Sequence, residues 1–344
     1  MVKLTRRRFA MGTAAGAMSA LGGVWPRVAL ATDSKIRIGI LPLASHAPTF
    51  IAVASGYFGQ QGLDAELVSF EAAEPMAVAI AAGDVDFGVT AITGGLISLA
   101  DKGAVSVIGG ALQEAAGIEG QKILVSKKAH DEGVTSPALL KGRTFGITTA
   151  GSSFQYMAHK IAQKEGFADS DITLKPLQKV PVLIAALKTG QIDAWSIVPN
   201  VAGTLIKDGQ VIEIGKIADI APDYQVTAVF TSTANTAKRR ELVKRFLTAF
   251  SQGIADYNAA LVDKTMPTEQ TAAVVEAIHR YVYSSQPLEK ADPLIRAGAM
   301  RISPRARLNT ASVKDQLDWF QAQHLVPPGA TMAELVDPSF VETD

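Results

Sequence analysis

Apolar and polar positions change period several times along the chain. Ile36, Ile38 and Ile40 alternate with Arg37 and Gly39, the period of a strand. From Phe50 to Phe58 the apolar positions fall at helical spacing, ending before Gly62-Leu63. A second strand is predicted at Glu66-Leu67-Val68, then an Ala-rich helix that closes at Gly83-Asp84-Val85-Asp86-Phe87. The same order returns from Thr144 to Asn200: strand Thr144-Phe145-Gly146-Ile147, a helix over about 153–165, Gly166-Phe167, strand Ile172-Thr173-Leu174, a helix over 182–188, and Gly190-Gln191-Ile192-Asp193-Ala194. Gly39 and Gly83 lie 44 residues apart, as do Gly146 and Gly190, and the second passage repeats the first at a shift of 107. Strands alternating with helices predict βαβ units on a parallel sheet, so each passage reads as an α/β lobe of the doubly wound kind. Gly83 and Gly190 are expected to end helices in the left-handed conformation, with the next strand beginning at once.

The remainder has a different rhythm. Gln225 to Thr231 alternates as a strand, with Val226, Ala228 and Phe230 on one side. Beyond Thr236 the pattern is helical, with helices predicted over 240–257, 269–281, 293–298 and 312–323. Leu242, Phe246, Leu247 and Phe250 recur at spacings of three and four and mark one buried face. Trp319 and Phe320 are expected to pack into the core.

Composition narrows the function. The 344 residues include no cysteine, which excludes disulfides, Cys-ligated metal centres and a thiol nucleophile. Basic and acidic residues number 33 each, but five basic residues and no acid lie in 1–31, so the remainder carries a formal charge of −5. That sign disfavours a nucleic-acid or anionic-membrane partner. Residues 1–31 have the layout of an export signal: Thr5-Arg6-Arg7-Arg8-Phe9, a soft apolar stretch over 10–25, then Ala29-Leu30-Ala31, with cleavage expected near Ala31. The arginines followed by Phe match the twin-arginine type. A soluble protein outside the cytoplasm is expected, periplasmic in a Gram-negative host.

Gly56-Tyr57-Phe58, Gly62-Leu63-Asp64 and Gly83-Asp84-Val85-Asp86-Phe87-Gly88 resemble periplasmic solute-binding proteins of the nitrate/taurine (NitT/TauT), sulfonate-binding type. Leu140-Lys141-Gly142-Arg143-Thr144-Phe145-Gly146-Ile147 in the second passage agrees, as does Ser232-Thr233-Ala234 ahead of a helix. The resemblance covers about 35–250. It implies a two-lobed periplasmic-binding-protein-like (type 2) clamp with a helical C-terminal region. Lobe 1 would comprise 33–115 plus 226–344 and lobe 2 122–222, with hinge crossings near 116–125 and 222–228. It further implies a monomer without cofactor that closes on a small ligand and delivers it to an ABC permease in the inner membrane, doing no chemistry.

In open α/β sheets ligands bind beyond the carboxyl ends of strands. After the first strand stand Ser45 and His46; their counterparts at the repeat shift are Gly151, Ser152 and Ser153, before a helix whose N–H groups favour an anion. Thr90 and Thr93 follow the strand at Phe87, and Asn200 follows Trp195 in the second passage. Ser152, Ser153, Thr93 and Asn200 read equally as helix caps or as ligand contacts. Lys179 is the one cation at a predicted cleft edge, although a surface lysine is the commoner case. Trp195 is an apolar wall of the cleft or a core residue. Hydroxyls, amides and N–H groups without an arginine cluster point to a small organic anion, a sulfonate or carboxylate, aliphatic or aromatic.

Enzyme motifs are missing. His46, His130, His159, His279 and His324 form no close ligand pair, and no G-x-S-x-G, P-loop or dinucleotide fingerprint occurs. Asp84 and Asp86 resemble a metal-binding D-x-D, but the second passage has Gln191 and Asp193 there, which favours a structural role. Thiamine-pyrimidine synthases share the fold family and carry a cysteine-rich motif this chain lacks. A thiamine-pyrimidine-precursor binding protein or related enzyme and a sensing subunit uncoupled from transport stay open as alternatives.

Overall fold

The computed structural model describes residues 34–340, 342 and 343. The export signal expected over 1–31, with its cleavage site, lies outside the described residues. Two five-stranded mixed sheets form the frame. The first has the order β2-β1-β3-β10-β4, from β1 (Ser34–Ile40), β2 (Leu63–Ser69), β3 (Phe87–Ala91), β4 (Val105–Gly110) and β10 (Thr227–Ser232). The second has the order β7-β6-β8-β5-β9, from β5 (Lys122–Ser126), β6 (Thr144–Ile147), β7 (Thr173–Pro176), β8 (Ala194–Ile197) and β9 (Val211–Lys216). In each sheet four strands point the same way, and one strand delivered by a crossing between the sheets runs antiparallel to its two neighbours. Each sheet with its helices is one lobe of the two-lobed α/β clamp. Among the described residues no helix is long and apolar enough to cross a membrane.

The internal echo has a packing cause. A Cβ on Gly39 would come within 2.7 Å of Met76, and one on Gly146 within 2.6 Å of Leu183, so each strand is bare where a helix presses on it. Gly83 and Gly190 adopt φ of +82° and +69° and turn the chain out of the helices Ala73–Ala82 and Val180–Lys188. The next strands do not begin at once, as the pattern suggested. β3 starts at Phe87 and β8 at Ala194, and the aspartate before each spans the gap. Asp86 Oδ2 accepts from the Arg37 N–H at 2.9 Å and Asp193 Oδ2 from the Thr144 N–H at 2.8 Å, each bond spanning 49 residues. The D-x-D is therefore a structural turn, and no cluster of three metal-ligating side chains occurs among the described residues.

Two predicted elements differ. The helix expected over 50–58 is two helices, Ala47–Ala54 and Tyr57–Gln60, because Pro48 starts the first one early and Gly56 at φ +71° interrupts it. The helix predicted over 293–298 extends back to Leu288, with Pro293 inside it. The long helix Arg240–Tyr257 buries Leu242, Phe246, Leu247 and Phe250, and Phe246 stacks on Phe87 at 3.9 Å. Residues 226–344, expected to belong to lobe 1, also make contacts with the second lobe. From the helix Thr310–Ala322, Asp315 accepts the Tyr156 hydroxyl and pairs with Lys160 at 2.7 Å. One turn on, Trp319 stacks on His159 and donates to Asp169 at 3.3 Å. Tyr283 donates to the Asn200 carbonyl. Aromatic side chains long enough to reach across draw this region onto the second lobe.

Candidate functional site

A cavity of about 60 Å³ lies between the carboxyl ends of the two parallel strand sets. The first lobe contributes Ser45 and His46 from the loop after β1, and Thr90 and Thr93 from the end of β3. The second contributes Thr148, Ser152, Ser153 and Phe154 after β6, and Ile197 and Val198 at the end of β8. The crossings supply Leu112, Gln121, Val226 and Thr227. No Lys, Arg, Asp or Glu lines it.

His46 carries no charge there. Burial pushes its imidazole down to about 3, and its Nδ1 accepts from the Leu41 N–H at 3.4 Å, which places the proton on Nε2. Thr93 is a cap: its Oγ1 accepts from the Leu96 N–H at 3.1 Å and starts the helix Gly94–Asp101. Ser152 stands at the N-cap of the helix Ser153–Glu165 but makes no capping bond, and its buried Oγ has no partner among the described residues. An unpaired buried hydroxyl is costly to leave without a partner, and here it opens on a cavity beside helix N–H groups that lack intrahelical acceptors. Together Ser152, Ser153 and the first turn of this helix offer a donor-rich patch. Leu41, Leu43, Phe154, Val180 and Ile197 form an apolar wall.

Six of the ten residues singled out in the sequence meet at this cavity: Ser45, His46, Thr90, Thr93, Ser152 and Ser153. Four do not. Lys179 lies outside, half-exposed, paired with Glu71 of the other lobe at 2.5 Å, because a carboxylate offers the cation more than an apolar wall does. Trp195 is fully buried behind Phe154, whose ring screens it at 5.4 Å. Asn200 was matched to Thr93 through the repeat, but Pro199 starts this helix ahead of the repeat position and carries Asn200 into its first turn, away from the cavity. Gly151 serves the seam: its carbonyl accepts from the Gly94 N–H at 2.8 Å. Thr149 Oγ1 donates to Glu74 at 3.0 Å along the same seam, so backbone and side-chain contacts join the lobes beside the cavity.

Gln121, Thr148 and Thr227 were not anticipated as lining residues. Thr148 directly follows β6, three residues ahead of Gly151, and the strand-end rule applied from the first residue after the strand reaches it. Gln121 and Thr227 sit in or beside the crossings, where only the approach of two distant segments aims a side chain at the cavity.

The family model described as NMT1/THI5-like matches residues 44–260. A Brucella abortus protein named only provisionally as a binding protein is 27% identical over 230 residues, covering 66% of this chain and 68% of the relative. Among solved structures, the ligand-binding component of an ABC-type import system from Staphylococcus aureus, with zinc bound, superposes at a TM-score of 0.69 and 17% identity over 89% of this chain and 97% of the other. The alkanesulfonate-binding protein SsuA from Xanthomonas axonopodis pv. citri, bound to MOPS, superposes at 0.68 and 20% identity over 91% and 100%. At such identities the superpositions show a shared fold.

Proposed function

The chain belongs to the NMT1/THI5-like family, and from that premise we propose that it is the extracytoplasmic solute-binding subunit of an ABC importer, capturing a small organic anion between its lobes for delivery to a permease. The observation that carries the reading is the unpaired Ser152 hydroxyl at the N-terminus of the Ser153 helix, inside a cavity that both lobes and both crossings line. A sulfonate or carboxylate head would take hydrogen bonds from Ser152, Ser153 and the helix N–H groups. An aliphatic or aromatic body would lie on Phe154, Val180 and Ile197. The site would bind charge with dipoles and hydroxyls in place of a guanidinium. No carboxylate lines the cavity, and its one histidine is a buried, neutral imidazole whose Nδ1 accepts from the Leu41 N–H.

One observation favours a second ligand class. With no cationic side chain in the lining, an uncharged heteroaromatic such as a thiamine-pyrimidine precursor is also accommodated, with His46 Nε2–H and the Gln121 amide as donors. A thermal-shift panel of pentanesulfonate, benzoate and an aminopyrimidine separates the two. Ligand at a hundredfold excess over Kd stabilises by about 2.7 kcal/mol. Shifts with the sulfonate or benzoate are expected. A shift with the aminopyrimidine alone replaces the anion reading, and mass spectrometry of ligand released on denaturation identifies the natural solute.

A further inference from the structure

Glu114 is the most deeply buried carboxylate beside the cavity, 1% exposed, and it sits in the segment that leads from β4 to β5 between the lobes. Its backbone N–H donates to the Tyr224 carbonyl of the other crossing at 2.9 Å, which ties the two crossings together. Its Oε1 accepts from the backbone N–H of Gln121 at 3.1 Å. Its Oε2 lies against the bare backbone of Gly120, where an added Cβ would come within 2.1 Å. The carboxyl also lies close to the Gln121 side-chain amide, without hydrogen-bond geometry. Gln121 is a lining residue of the cavity, and its Nε2 is buried without a partner among the described residues.

We propose that Glu114 is a positioning residue of the cavity: it holds the Gln121 backbone across the hinge and so aims the cavity's one side-chain carboxamide at the ligand. The inference rests on the reading of the cavity as the ligand site. Charge enters because burial raises Glu114 to about 7. The charged groups facing it are Asp219 on the helix Ile217–Ile220, which raises it, and Lys122 at the start of β5, which lowers it; Tyr224, on the second crossing, faces it with a neutral hydroxyl. A carboxylate holds an N–H more tightly than a carboxylic acid does. The hold on Gln121 therefore weakens as pH falls through about 7.

The test uses the full-length exported protein and the panel compound with the largest thermal shift. Its affinity is measured by titration calorimetry between pH 6 and 8 for wild type, Glu114→Ala, Glu114→Gln and Gln121→Ala. Glu114→Ala and Gln121→Ala are expected to weaken binding five- to twentyfold, and the double variant no more than the stronger single one. Glu114→Gln keeps an acceptor for the Gln121 N–H; it is expected to restore binding at pH 7 and to flatten the wild-type pH profile. Multiplicative effects in the double variant, or the same pH profile in wild type and Glu114→Gln, overturn the inference. Hydrogen exchange without ligand tests the hold directly. The Gln121 amide should exchange at least tenfold faster in Glu114→Ala than in wild type, and unchanged exchange overturns the inference whatever binds. Should Glu114→Ala fail to fold, the Glu114→Gln profile and Gln121→Ala decide. A Thr90→Trp variant, folded by circular dichroism and filling the cavity, separates the premise: undiminished binding there removes the site reading itself.

Discussion

Ser152 and Thr93 both stand at a helix N-cap, and only one of them caps. Thr93 holds the Leu96 N–H, whereas the Ser152 hydroxyl is buried with no partner among the described residues. The two positions should answer to different measurements. Thr93→Ala is expected to cost about 1 kcal/mol in urea unfolding. Ser152→Ala should leave stability within about 0.5 kcal/mol but weaken ligand roughly five- to tenfold by calorimetry. Equal stability losses would mean that Ser152 is structural. Sequence brings a residue to a helix start but does not say whether its hydroxyl turns inward to the backbone or outward. That is why both readings stood open for Thr93 and Ser152. Lys179 was misplaced for a related reason: its partner Glu71 is 108 positions away, and only the folded chain brings them to 2.5 Å.

At the scale of elements, the succession of strands and helices over 36–93 and 144–200 was legible because it follows from local period and from glycines that packing requires. Matching spacings of 44 residues reported two helix-on-strand units built alike. The misses were at joints: Gly56 divides one helix, and Pro199 moves another forward. The aspartate turns are the joints that repeat. Asp86 and Asp193 each tie the start of one strand to its neighbour through a backbone N–H, and Asp86 also pairs with Arg239 at 3.1 Å. Each Asp→Ala variant is expected to lose about 2 kcal/mol, as for a hydrogen bond to a charged group. Because the two turns lie in different sheets, the double variant should lose the sum within about 0.5 kcal/mol by urea unfolding. A non-additive double would show that the lobes do not unfold as one cooperative unit.

For the whole molecule, two buried groups shape the dependence of stability on pH. Glu114 is raised from 4.5 to about 7, so between those values the native chain keeps a proton that the unfolded chain has released, and stability falls as pH rises. His46 is lowered from 6.5 to about 3, so between those values the unfolded chain holds a proton that the native chain refuses, and stability rises with pH. The windows oppose each other from 4.5 to 6.5. These two groups therefore predict a plateau there, a fall towards acid governed by His46, and a smaller fall just above 6.5 governed by Glu114. Glu114→Gln should remove the alkaline fall and stabilise the protein at pH 8 by at most roughly 3 kcal/mol, read by urea unfolding across pH. An unchanged profile would mean that Glu114 is not proton-linked in the folded chain. Neither shift was legible in the sequence, since the burial that causes each comes from segments distant along the chain meeting around it. The Thr310–Ala322 helix carries a last consequence. Two strands joining two bodies act as a ribbon, free to bend and also to twist. A third attachment lies away from that ribbon, where Asp315 pairs with Lys160 and Trp319 donates to Asp169. In the terms of a door, this helix is a stay between leaf and frame, and a stay of this kind resists twist more than bend.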